Sequence, residues 1–143
     1  MIGRASLPRS ALVDSGATLA LADSDDKHHA DAVAIQHNLV TAHARLYTTN
    51  FLVDETYTLI LARMGYRFAV QFLTDDRDGT ITIVRITAAD DQRAEQILRQ
   101  YDDKRFSYTD ATSFAVMERL GIDAAFSFDR NFIEYGRIAV LRP

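Results

Sequence analysis

Short apolar runs alternate with longer stretches in which apolar residues recur every three or four positions. Ala11-Leu12-Val13 has the length and composition of a buried strand. Residues 15–22 suit a short helix, and residues 23–26 form a polar turn. In residues 27–44, Ala32, Ile35, Leu39 and Ala42 make one inward helical stripe. Residues 46–49 predict a second strand, with Asn50 as cap of a helix that Gly65 ends. A helix is expected over 66–74, a turn over 75–79, and an alternating edge strand over 80–87. The pattern continues with a helix over 90–101, a strand over 106–109, a helix over 110–120 stopped by Gly121, a strand over 124–128 and a last short strand over 138–141. Such alternation predicts an α/β fold, a parallel sheet with helices on both faces. Function in these sheets collects beyond the carboxyl ends of the strands.

Three of the predicted strands end on an aspartate: Val13 precedes Asp14, Thr109 precedes Asp110, and Phe128 precedes Asp129. A fourth acid, Glu55, follows the second strand and falls on the stripe Leu52, Glu55, Leu59, Ala62. A carboxylate on a buried face needs a partner. Each acid also has a structural role open to it. Asp110 could cap its helix, Asp129 could cap a short turn through Asn131, Asp14 could shape a turn, and Glu55 could complement a helix dipole. Converging on one crevice, the same acids would repel and burial would raise their pKa values. A divalent cation removes both costs, and all-oxygen ligation suits Mg2+ or Mn2+.

Composition narrows this chemistry. The chain has 143 residues and no cysteine, so disulfides and thiolate metal sites are excluded and a reducing compartment is allowed. Asp14, Ser15, Gly16 and Thr18 interrupt the first apolar stretch, so no targeting segment or membrane span is expected, and the cytoplasm is the expected location. The net charge of −4 speaks against a dedicated duplex-binding protein. It speaks less against an acidic metal site, where bound cations offset the charge.

The runs Ala11-Leu12-Val13-Asp14-Ser15-Gly16-Ala17, Thr48-Thr49-Asn50-Phe51-Leu52-Val53-Asp54-Glu55-Thr56, Phe106-Ser107-Tyr108-Thr109-Asp110-Ala111-Thr112-Ser113 and Phe126-Ser127-Phe128-Asp129-Arg130-Asn131-Phe132 resemble, in order, the acidic motifs of PIN domains, VapC-type toxins in particular. The similarity spans about residues 10–136. It implies one PIN domain over residues 1–143, with residues 1–9 as an extension that matches nothing. It implies a three-layer α/β/α sandwich with strand order 3-2-1-4-5. It also implies a Mg2+ or Mn2+ site at Asp14, Glu55, Asp110 and Asp129, supported by Ser127, and endoribonuclease activity on RNA. A VapB-like antitoxin and a homodimer are the partners it implies. Arg130, directly after Asp129, is the leading candidate for an RNA phosphate contact, ahead of Arg105, Lys104 and Arg63.

Other readings fare less well. His28, His29, His37 and His43 lack the i, i+4 spacing of a helical zinc pair and have no cysteine to complete a set. Asp54 points to another helix face than Glu55. A phosphorylation receiver domain needs a lysine after its fifth strand, and this chain has only Lys27 and Lys104. An aspartate-nucleophile phosphatase needs a second acid where Gly16 stands, and no glycine-rich phosphate loop is present. The remaining rival is a PIN fold kept for binding without turnover.

Overall fold

The computed structural model describes residues 7–77 and 79–143. The expected extension falls mainly on residues 1–6, outside the described residues, as does Asp78 of the expected turn. Arg9 is already tied down: its N–H donates to Asp123 Oδ2 at 3.0 Å and its carbonyl accepts from Arg45 N at 2.9 Å.

The elements run β1 (Ser10–Val13), α1 (Ser15–Ala22), α2 (His29–Thr41), β2 (Arg45–Thr49), α3 (Asn50–Met64), α4 (Tyr66–Arg77), β3 (Ile81–Val84), α5 (Ala88–Gln100), α6 (Tyr108–Leu120), β4 (Ala124–Phe126), α7 (Arg130–Tyr135) and β5 (Ala139–Val140). All strand pairs are parallel, in the order β3-β2-β1-β4-β5. This is the expected architecture. Among the described residues, no helix is long and apolar enough to cross a membrane.

Alternation along β1 builds the layers. Ala11 and Val13 join Phe126 and the stripe Ala32, Ile35, Leu39 of α2 on one face. Leu12 faces the other way, with Ala125, into a cluster that holds Leu52, Ile97, Phe114, Phe132 and Tyr135. Both faces of the central strands are therefore covered, as parallel sheets require.

Several expected boundaries change. Residues 106–109 are not a strand. α6 starts at Tyr108, two residues upstream of the expected start, and Ser107 caps it in a capping box: Ser107 Oγ accepts from Asp110 N and Asp110 Oδ2 accepts from Ser107 N, each at 3.0 Å. Thr49 rather than Asn50 caps α3, accepting from Leu52 N. Asn50 instead accepts from Ile86 N at 2.8 Å, which draws the chain after β3 out of the ladder and shortens the predicted 80–87 strand. α2 is shorter than 27–44, and α4 continues through Arg77 into the expected 75–79 turn. The buried line of α3 is Leu52, Thr56 and Ile60. Glu55 sits half-buried beside that line and Ala62 is exposed, so the 52–55–59–62 stripe is displaced by about one residue.

Candidate active site

Register sets the site. Val13 of β1 lies opposite Phe126 of β4, and Asp14 N donates to Phe126 O at 3.0 Å. The next residues in register, Asp14 and Ser127, leave the sheet side by side, and Ser127 Oγ donates to Asp14 Oδ2 at 2.7 Å. The other acids arrive from the starts of α3, α6 and α7, all at the carboxyl edge of the sheet.

A chain of hydrogen bonds joins the four acids through three small polar residues. Glu55 Oε1 accepts from Ser15 Oγ, the neighbour of Asp14. Asp14 accepts from Ser127 Oγ, which in turn accepts from Asp129 N at 3.1 Å. Asp129 Oδ1 accepts from Asn131 N at 2.9 Å, capping α7, and Asn131 Nδ2 donates to Asp110 Oδ2 at 2.8 Å. The structure thus brings all four acids into one network. Among the described residues, no three His, Asp or Glu side chains already stand as a metal-ligand set.

Electrostatics single out Asp14. It is 5% exposed, and burial pushes its carboxyl up to about 7. The Ser127 hydrogen bond opposes that rise, while the like charges of Asp110 and Glu55 add to it. Asp110 is also raised, by burial first and by Asp129, against the bonds from Ser107 and Asn131.

The start of α5 supplies a comparison within the same chain. Thr87 and Asp90 form the same capping box as Ser107 and Asp110. Burial alone would raise Asp90, but Arg119 clasps both its oxygens, at 2.8 and 2.9 Å, and holds it below the usual carboxylate range. A structural buried acid here has its own cation. Among the described residues, Asp14, Glu55, Asp110 and Asp129 have no salt bridge at all. An all-oxygen set of mutually repelling carboxylates, one of them buried, has the chemistry that suits a hard divalent cation.

The family profile of the PIN domain matches residues 11–138. The chain belongs to the PIN-domain family. The 23S rRNA-specific endonuclease VapC20 of Mycobacterium tuberculosis is 32% identical to it over 131 residues, 92% of this chain and 97% of that protein. The crystal structure of VapC20, described as a sarcin-ricin loop cleaving toxin, superposes with a TM-score of 0.84 at 31% identity, over 94% of this chain and 100% of that one. A VapC ribonuclease of Archaeoglobus fulgidus is 32% identical over 127 residues, 86% of this chain and 79% of that protein. A toxin–antitoxin complex from Klebsiella pneumoniae shares the fold alone, with a TM-score of 0.64 at 14% identity over 92% of this chain and 96% of that chain.

Two residues of this PIN domain's acidic network were not singled out as site residues from sequence. Ser15 and Asn131 each lie within two residues of a motif acid, and both stand inside the runs that carry the resemblance. Small polar residues at such positions are the only signal that pointed to them. Among the basic candidates, Arg63 is committed to Asp26 at 3.1 Å and Lys104 to Asp103 at 3.4 Å. Arg130 has an 87% exposed side chain with only a 3.6 Å contact to Glu134. His29 is satisfied by the Ala20 carbonyl at 2.7 Å, as expected of a helix histidine without a metal role.

Proposed function

We propose that this PIN domain is a divalent-cation-dependent endoribonuclease and the toxin of a type II toxin–antitoxin pair. The observation that carries the reading is the network of four cation-free carboxylates around buried Asp14. VapC20 and the Archaeoglobus VapC, named as endonuclease and ribonuclease, support the reaction class.

Asp14, Glu55, Asp110 and Asp129 would hold Mg2+ or Mn2+. When bound, the cation supplies neutralisation of the phosphodiester's charge and an activated water. The protein's own part is orientation. Ser127 fixes the rotation of Asp14, Ser15 that of Glu55, and Asn131 that of Asp110. Such supporting hydrogen bonds hold ligands in place and raise the precision of a site. Asp110 Oδ2 takes both its bonds, so its Oδ1 faces away from the cap and is available to a ligand. Arg130, exposed and weakly paired, would meet a phosphate oxygen.

Partners follow from the likeness to VapC toxins: an RNA substrate, with ribosomal RNA the first to try, a VapB-like antitoxin and a second copy of the chain. The test is cleavage of RNA with Mg2+ or Mn2+ and with EDTA, followed by analysis of the ends. Water attacking in line leaves a 5′-phosphate and a 3′-hydroxyl. Cyclic-phosphate ends, or full activity in EDTA, would refute the assignment.

A further inference from the structure

A cavity of about 410 Å3 opens beside the acids, between the start of α2, the segment after β4, and β5. His28, Asp31, Phe128, Leu141 and Arg142 line it, and it shares a wall with the acidic network through Ser127. The rings of His28 and Phe128 stack face to face, with centroids 4.4 Å apart and planes 1° from parallel. Both residues are half-buried. His28 occupies the N-cap position of α2, yet its side chain makes no capping hydrogen bond. Among the described residues its ring makes no hydrogen bond of any kind, so the stack on Phe128 is what places it.

The make-up of the cavity selects its occupant. An anion site would gather several cations, but here one arginine, Arg142, shares the lining with an acid, Asp31. Flat aromatic surface, aliphatic wall and a few polar groups form the chemistry that receives an unpaired base, which stacks on a ring and offers its edge to hydrogen bonds. The volume lies near the small end of ligand pockets, roughly 300–1000 Å3, which suits one base and excludes a duplex.

We propose that this cavity binds one unpaired nucleobase of the RNA, next to the phosphodiester held at the acids, stacked on the His28–Phe128 pair with Asp31 and Arg142 facing its edge and backbone. The proposal rests on the ribonuclease reading above. It adds a consequence: a base paired within an A-form duplex presents no free face to the stack, so the cavity takes only unpaired RNA.

The test uses the full chain in EDTA and a single-stranded oligoribonucleotide of roughly ten nucleotides, a length chosen from typical single-strand site sizes. 2-Aminopurine is placed at each position in turn, and stacking on protein rings quenches it at one. His28→Ala and Phe128→Leu should relieve that quench and weaken binding roughly five- to 150-fold. Phe128→Leu keeps an apolar side chain packed against the core, so it guards against a folding artefact. Tyr66→Ala, which removes an aromatic 68% exposed on α4, should change neither readout. An oligonucleotide lacking the base at the quenched position should bind wild type and His28→Ala alike, because the interaction has then been removed from both sides. Unchanged quench and affinity in both variants, with wild type still cleaving RNA, would overturn the base site and leave the nuclease standing. A wild type that neither binds nor cleaves RNA would overturn both. Normal RNA binding by His28→Ala together with a dimer falling to monomer would give the cavity to a second copy of the chain and overturn the proposal.

Discussion

Asp14→Asn is the substitution whose consequence the structure sets most closely. The Asp14 carboxyl, 5% exposed, is raised by burial to about 7 from an ordinary 3.8. Between those values the folded protein keeps a proton that the unfolded chain has lost. Stability from this group is complete below about pH 4 and is lost as pH rises through about 7. Each unit of difference is worth about 1.4 kcal/mol, so the whole interval amounts to about 4 kcal/mol. Asparagine keeps an oxygen for the Ser127 hydroxyl and has nothing to titrate. Urea unfolding in EDTA, from pH 4 to pH 8, should show wild type losing up to about 4 kcal/mol relative to Asp14→Asn. Taking the difference between the two proteins cancels the titration of groups distant from Asp14 to first order. At pH 8, Mn2+ should restore wild type by mass action and do little for the variant. Parallel pH profiles for the two proteins would mean that Asp14 ionises freely, and the buried-acid account of the site would be wrong.

Asp110→Asn keeps an acceptor for the Ser107 N–H, so metal-free stability should hold or rise by about 1 kcal/mol while the metal-induced stabilisation and RNA cleavage shrink. A loss above about 2 kcal/mol with the metal response intact would make Asp110 a structural cap alone. Ser127→Ala removes the donor to Asp14 and the acceptor of Asp129 N, at a cost of about 1–3 kcal/mol. It should also move the Asp14 titration above 7, read from the same pH series, and an unmoved profile would take Ser127 out of the site. Light scattering should find a dimer at tens of micromolar, on the order of a weak interface's Kd, and a monomer there would refute the dimer. Expression without an antitoxin should slow host growth, and normal growth with soluble, active protein would refute the toxin role without touching the nuclease.

Sequence pattern located what depends on neighbours a few residues away, and it erred where a distant partner decides. The run Ala11-Leu12-Val13-Asp14 announced a buried strand delivering an acid, and β1 does so. Phe106-Ser107-Tyr108-Thr109 alternates like a strand, but its Ser107–Asp110 reciprocal bonds start a helix, and Phe106 reaches the core from a loop. The serine three residues before an acid has the spacing of a capping box, a signal the strand reading of residues 106–109 did not use. Asn50 carries the chemistry of a cap, yet its oxygen is taken by Ile86 N, 36 residues away. Glu55 was placed on a stripe that lies about one residue off the buried line, since Thr56 hides its hydroxyl by donating to the Leu52 carbonyl at 2.6 Å. Asp14 and Asp129 were legible because each comes just after a strand, whereas Asp110 was found although the strand expected before it is a helix start. Ser15 and Asn131 were not, because a small polar residue earns its role only from which carboxylate lies across the gap.

β1 and β4 are neighbours at the middle of the sheet although Asp14 and Ser127 stand 113 positions apart. A growing chain that has released α6 already contains Asp14, Glu55 and Asp110, but β1 still lacks one of its two flanking strands. Asp14 then has no Ser127 to hold it, and Asp110 has no Asn131. Each of these acids is therefore present before the arrangement is, and the network closes only once β4 and the start of α7 have been added.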